Sequence, residues 1–362
     1  LRLELNLDAL SARTPPMLGL DISSTAVKLV ELADAGRGML RIERYAIEAL
    51  PREAMSDGNI ANLDLVADAL RRALKELGSR VRNVAMALPS SAVITKKIVV
   101  PATLTGIELE NQVESEANQV IPFSLDEVNL DFQVLGALPN SPTDNQVLLA
   151  AARKEKVEDR VALAEAAGLK ALVLDVEAYA GQSAFEQMAH LLPASAETLT
   201  VALIDIGAQA MHINILARGE SVYLREHNFG ASQLNHEIAR RYGMTSEEAE
   251  QAKRRGRLPE SYDLEVRQPY SETLAMEIGR ALQLFTTSTQ YNKVDQIILA
   301  GGGAILSGIE EIVSARTGAP TLIANPFSKM ALGSRVKPQA LAVDAPSLFV
   351  ACGLALRRFD PQ

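Results

Sequence analysis

The sequence predicts an α/β protein made of two related halves, on three observations. First, LGLDISSTAVKLVEL (18–32) and TLTVALIDIGAQAMHINIL (198–216) share one pattern: apolar run, aspartate, short turn, second apolar run. Second, strand-like runs alternate with helix-spaced segments, the order that builds sheets covered by helices. Third, IILAGGGAILSGI (297–309) sets three glycines between a buried-strand pattern and a helix. The length of 362 residues allows about two or three domains.

In chain order, residues 1–16 end in the breaker TPP and read as a tail or leading strand outside the first core. The first half begins at 17, with two strand-like runs around the DISST turn and a hairpin signal at AGRG (35–38). Val66, Leu70, Ala73, Leu74 and Leu77 fall at helical spacing, and Gly78 stops that helix. VAMALP (84–89) reads as a buried strand. Residues 91–152 read as an insert: a strand at VITKKIVV, a helix from about 104 to 119, strands near 128–135 and 146–152, and a turn-rich loop at LPNSPTD (138–144). The first half resumes over 153–196 with a helix at 154–167, a strand at 170–175 and the helix EAYAGQSAFEQMAHL. The second half spans 197–228, 229–285 and 286–340, and 341–362 returns to the first.

Composition narrows the function. With 45 acidic against 36 basic residues and a net charge of −9, composition argues against nucleic acid as the main partner, because phosphate binding needs a clustered basic surface. The one cysteine, Cys352 in FVACGLAL, reads as core packing in a reducing, cytoplasmic setting. No run reaches the roughly 18 uninterrupted apolar residues of a membrane span, and LRLELNLDAL is not an apolar signal block. His190, His212, His227 and His236 show no metal-ligand spacing, and no nucleophile–His–acid set stands out.

The chemistry concentrates in a few stretches. Asp21 lies between two apolar runs, where an unpaired carboxylate is expensive, so it needs a partner. LVLDVEAYAGQSAF (172–185) places Glu177 at a strand-to-helix junction. FGASQLNHEIARRYGMTSEEAEQAK (229–253) runs from a glycine turn through two helices to Glu250 and Lys253. Singly, each has a plain structural reading. The aspartates can be turn formers, Lys28 a surface residue, and Glu177 a charge at a helix N-terminus. Glu250 and Lys253 can sit on a solvated helix, and GGGA alone lacks the third glycine of a dinucleotide fingerprint. No Gly-Lys pair exists to make a P-loop.

In this order, however, the stretches resemble the actin-like nucleotide-binding superfamily. The resemblance implies ATP or ADP bound with Mg²⁺ between facing phosphate loops. Asp21 and Asp205 would hold the metal through water, which Mg²⁺ sheds reluctantly. Ser23, Ser24, Thr25 and Lys28, with Gly207 and Ala208 opposite, would contact phosphates, and Glu177 would stand near the attacking water. Gly301, Gly302 and Gly303 match the adenosine loop, while Glu250 and Lys253 match ribose and adenine contacts. Ser23 departs from the usual glycine of the first loop, and this weakens the case for hydrolytic geometry.

A closer resemblance is to the PilM family of type IV pilus assembly proteins. It is carried by the DISST loop, ELENQVESEANQVIPFSLDEVNLDFQVLG, LDVEAYA, LIANPFSKMAL and DAPSLFVACGLALRRFD. It implies an actin-like ATPase fold with subdomains 1A, 2A, 2B and an inserted FtsA-type 1C at 91–152. It also implies docking of the N-terminal cytoplasmic peptide of PilN, links to platform and pilus motor proteins, and a place in the cytoplasm peripheral to the inner membrane. Nucleotide binding is expected, with ATP hydrolysis weak or absent without partners. The insert's acidic helix, with Glu108, Glu110, Glu114 and Glu116, could receive a basic peptide through Glu110 and Glu114, or be a solvated face. The alternatives are a small-molecule kinase and a filament-forming cytoskeletal protein on the same core.

Overall fold

The computed structural model describes residues 15–56, 58–138 and 140–360. Almost all of the expected N-terminal tail therefore lies outside the described residues. Strands β1 (Met17–Ile22), β2 (Ala26–Gly36) and β3 (Met39–Ala49) form an antiparallel meander. The β2–β3 turn holds Arg37 at φ 56° and Gly38 at φ 74°, the positive pair that a two-residue hairpin of matched twist requires. A small hairpin, β4 (Met55–Ser56) with β5 (Asn59–Ile60), leads to α1 (Leu63–Leu77). Asn62 caps α1 by accepting from the Leu65 N–H, and left-handed Gly78 ends it. Its apolar face, Val66, Leu70, Ala73 and Leu77, is buried as the spacing predicts.

After β6 (Asn83–Leu88) the chain builds the insert from β7 (Val93–Pro101), α2 (Gly106–Val120), β8 (Val128–Leu138) and β9 (Ser141–Arg153). This unit has its own sheet, ordered β7-β9-β8, and its own core of Ile98, Val100, Val113, Ala117, Val147 and Leu149. The broad loop expected at 138–144 is instead largely strand, because β9 begins at Ser141, already paired with Leu138 of β8. Then come α3 (Lys154–Ala166), β10 (Lys170–Val176) and α4 (Glu177–Glu186). The helix expected to reach 191 breaks after Glu186, and Ala189–Leu191 form a separate short turn.

The second half repeats the wiring. Its meander is β11 (Thr200–Ile206), β12 (Met211–Ala217) and β13 (Glu220–His227), turning at Arg218 and Gly219 with φ 56° and 78°. Helices α5 (Ser232–Tyr242), α6 (Ser246–Arg254) and α7 (Gln268–Ser288) precede β14 (Gln296–Ala300), α8 (Ile309–Thr317) and β15 (Thr321–Ile323). One sheet runs β10-β6-β1-β2-β3 and the other β15-β14-β11-β12-β13, with β1, β6 and β10 parallel like β11, β14 and β15. The chain then returns through β16 (Ala331–Leu332), α9 (Pro338–Asp344) and α10 (Phe349–Leu356). β16 pairs with β3, so contact with the first sheet resumes before residue 341.

The returning segment Pro338–Phe359 is long and apolar enough, by length and composition, to cross a membrane. Here it is broken around Pro346, and 67% of its most apolar window is buried inside the protein. Its α10 crosses α4 closely: a Cβ on Gly353 would run into the Ala180 carbonyl. Cys352 lies buried in this core, where burial pushes its thiol up and keeps it un-ionised. One continuous core joins Val30 and Ile42, α4 and α10, and Val201 and Ile298, so the halves share an apolar seam. The seam is tied by polar contacts as well. Gln182 donates to the Gly219 carbonyl at 2.8 Å and Asn214 to the Ala178 carbonyl at 3.1 Å. From the insert, Lys97 reaches Glu220 at 2.7 Å.

Candidate functional site

Ligands of open α/β sheets bind beyond the carboxyl ends of the parallel strands. Four of the predicted residues stand there. Asp21 stands near the end of β1, Asp205 near the end of β11, Glu177 directly after β10, and Gly301 directly after β14.

The two hairpins present their acids in the same way. In the first, Ser23 N–H donates to the Ala26 carbonyl at 3.0 Å; in the second, Gly207 N–H donates to the Ala210 carbonyl at 3.0 Å. Ser23 fits where the second half has glycine because its backbone is not in the positive-φ region. Its Oγ lies 3.2 Å from the Ala26 N–H and 3.1 Å from the Ala26 carbonyl, closing the turn on itself. Ser24 is partly buried and Thr25 exposed at the same turn. Opposite, Ala208 accepts from the Ser232 N–H at 2.8 Å, and a Cβ on Gly230 would strike the Ala208 carbonyl.

Asp21 is 6% exposed, and strand pairing places Lys28 directly opposite it. Lys28 Nζ meets Asp21 Oδ2 at 2.9 Å, so the buried acid has its immediate partner within its own hairpin. Burial works to lower the Lys28 ammonium, but the charges of Asp21, Asp205 and Glu177 outweigh it and raise its pKa. Burial raises Asp205, while Lys28 and His212 only partly counter it. Glu177 rises to about 7, first through burial and then through the neighbouring Asp21 charge, with His212 and Arg160 pulling the other way. Three acids thus face the Lys28 ammonium and the Arg160 guanidinium, and a divalent cation would favour the ionised forms that burial opposes in Asp205 and Glu177. Among the described residues no group of three acid, histidine or cysteine side chains closes tightly enough to grip an ion directly. The acids fit Mg²⁺ held through its water shell.

The three glycines differ. Gly301 has φ 84°, and a Cβ there would run into the Asp205 carboxylate; a Cβ on Gly303 would run into Ile206. A Cβ on Gly302 would meet only open space. Glu250 and Lys253 pair at 2.7 Å on α6, partly buried, facing Asn235 of α5. Glu110 and Glu114 are exposed on α2, flanking the stripe that buries Val113 and Ala117.

Three further residues join the site. His212 pairs in register with Asp205 as Lys28 does with Asp21, a correspondence legible in the repeated sequence. Asn235 bridges α5 and α6 with no sequence signal. Arg160 is 3% exposed, donates through Nη2 to the Gly58 carbonyl at 3.2 Å, and has no partner for Nη1. A cavity of about 160 Å³ opens at the seam, lined by Ser90, Ser91, Glu177, Asp205, His212 and Asn214 among others. A larger open groove of about 610 Å³ lies between α7 and α8 and holds none of these residues.

The profile of the family described as type IV pilus assembly protein PilM matches residues 19–359. A solved PilM–PilN type IV pilus biogenesis complex is 30% identical, with TM-score 0.78, covering 96% of this chain and 100% of that one. The ethanolamine utilization protein EutJ from Carboxydothermus hydrogenoformans is 17% identical, with TM-score 0.57 and coverage of 94% and 89%. A diol dehydratase-reactivating factor in nucleotide-free form is 9% identical, with TM-score 0.55 and coverage of 96% and 100%. These last two share the fold alone. With two duplicated halves of this wiring, the fold is actin-like, and the chain belongs to the PilM family of type IV pilus assembly proteins.

Proposed function

We propose that this chain is a nucleotide-binding adaptor of type IV pilus assembly. It takes ATP or ADP with Mg²⁺ between its halves and docks the N-terminal cytoplasmic peptide of PilN. The observation that carries the nucleotide part is the convergence of Asp21, Lys28, Glu177, Asp205 and the Gly301–Gly303 turn at the carboxyl ends of the parallel strands. Backbone N–H groups of both hairpin turns, with the Ser23–Thr25 hydroxyls, would cradle the phosphates. Lys28 would share its charge between Asp21 and a phosphate. Glu177 would orient water, and the open face of Gly302 would admit the adenosine, with Glu250 and Lys253 at its ribose and base. The metal, when bound, supplies positive charge to the phosphate oxygens.

The partner part is supported by the PilM–PilN complex, similar over nearly the whole chain. We place the peptide beside the insert, with α2 contributing an acidic wall that includes Glu110 and Glu114. Edge strand β8, with exposed Val134 and Leu135, offers apolar surface there. This assigns the subdomain scheme 1A, inserted 1C, 2A and 2B to the segments named above, and a place in the cytoplasm against the inner membrane through PilN.

Calorimetry tests the nucleotide part. Asp205→Ala removes a metal-water acceptor and is expected to weaken ATP·Mg²⁺ binding by roughly tenfold or more, about 1.4 kcal/mol per decade. Unchanged affinity in that variant would take Asp205 out of the site.

A further inference from the structure

Asn235 on α5 stands in no set of residues read from the sequence, yet it joins two that do. Its Nδ2 donates to Glu250 Oε2 at 2.6 Å, and its Oδ1 accepts from Lys253 Nζ at 2.7 Å. Lys253 meets the same Glu250 oxygen at 2.7 Å, which closes a ring of three side chains between α5 and α6. An amide has one end that accepts and one that donates. With an ammonium on one side and a carboxylate on the other, only one orientation of Asn235 satisfies both. The ring fixes two long side chains that would otherwise sample many rotamers.

A plain staple between helices is the simpler reading, and the packing argues against its being the whole role. Leu234 and Ile238 of α5 and Ala249 of α6 are already buried in the second-half core. The start of α6 is set separately by a capping box between Thr245 and Glu248. What the ring adds is direction: a partly buried carboxylate and ammonium held at fixed points on the helix pair that the proposed function assigns to the nucleoside.

We infer that Asn235 is a positioning residue that holds Glu250 as an acceptor for the ribose hydroxyls and Lys253 toward the base, so that the pocket prefers ribonucleotides to 2′-deoxyribonucleotides. This rests on the nucleotide reading of the cleft. The chemistry is that of a charged acceptor. A vicinal diol offers two donors to one carboxylate, and loss of the 2′-hydroxyl leaves an acceptor of a partly desolvated anion unmatched. A carboxylate no longer held by the Asn235 amide would be less firmly placed and would follow the remaining hydroxyl, and the preference would fade.

The test is calorimetry of the full chain with ADP·Mg²⁺ and 2′-deoxyADP·Mg²⁺. Wild type is expected to favour ADP by about tenfold, the scale of one hydrogen bond to a charged group. Asn235→Ala is expected to weaken ADP toward the deoxy value and bring the ratio near one. Asn235→Asp, isosteric and therefore able to fold, sets a second carboxylate against Glu250 and is expected to do the same. A helix staple alone predicts lower thermal stability with an unchanged ratio. If Glu250→Ala weakens ADP while both Asn235 variants keep the wild-type ratio, the positioning role is overturned and the nucleotide reading stands. If wild type binds neither nucleotide, the nucleotide reading falls and the inference with it.

Discussion

A carboxylate buried beside a lysine is stable only as a pair, and Asp21 with Lys28 makes this the most consequential contact in the first hairpin. Removing Lys28 strands the acid. Lys28→Met is expected to destabilise the protein by about 3 kcal/mol, read from urea unfolding, because the lost partner leaves a buried charge. The double variant Asp21→Asn with Lys28→Met should regain much of that loss. Glu177 poses the opposite case, an acid short of partners. Its folded pKa lies near 7, above the ordinary value of 4.5, so the folded state holds the proton more tightly than the unfolded chain does. The contribution is therefore fully present below about pH 4.5 and is lost as pH rises through 7. Without nucleotide or metal, stability should fall between pH 5 and 8 by no more than about 3 kcal/mol through this group, and Glu177→Gln should flatten that part of the profile. An unaltered profile in the glutamine variant would place the titration elsewhere.

Loops and turns show why similar sequences need different explanations. The triple glycine separates into two positions pressed against Asp205 and Ile206 and one that faces open space. Gly301→Ala should lower the melting temperature by several degrees, since its Cβ must displace the Asp205 carboxylate at a positive φ. Gly302→Val should fold normally and lose nucleotide affinity, so the two variants separate folding from binding. The repeat made this loop, the two hairpins and the Glu177 junction legible, because strand–acid–turn–strand is a local pattern. The 138–144 stretch misled because its turn formers are spent inside paired strands: Ser141 hydrogen-bonds Asp144 while β9 continues through both. Ser23 appeared to be a defect only against a glycine standard; its own hydroxyl closes the turn. Arg160 and Asn235 had no local signature, for their roles exist only once distant elements meet.

At the scale of the molecule, the halves meet along an apolar seam through α4 and α10, while the charged residues lie at the strand ends above it. Membership of a pilus assembly family does not favour the kinase and filament alternatives. Under the proposed function Glu177 alone is assigned to orient water, and Ser23 spends its hydroxyl on its own turn. ATP turnover by the free protein is therefore expected far below the ~10 s⁻¹ typical of enzymes, and a steady-state phosphate-release assay reaching that rate would reverse this view. The machine is then read through its partner. The long apolar C-terminal segment is largely buried in the core, and the proposed route to the membrane is another protein's cytoplasmic end. Deleting the N-terminal peptide of PilN should move this protein to the soluble fraction. Glu110→Lys with Glu114→Lys offers a sharper version. Both side chains are exposed on α2 and belong to no buried cluster of the insert, so the change should leave folding intact. If that face receives a basic peptide, charge reversal slows association and weakens binding several-fold at low salt, and rising ionic strength narrows the difference. Wild-type PilN affinity at both salt concentrations would move the docking surface off α2, and membrane association that survives loss of the PilN peptide would require a different anchor.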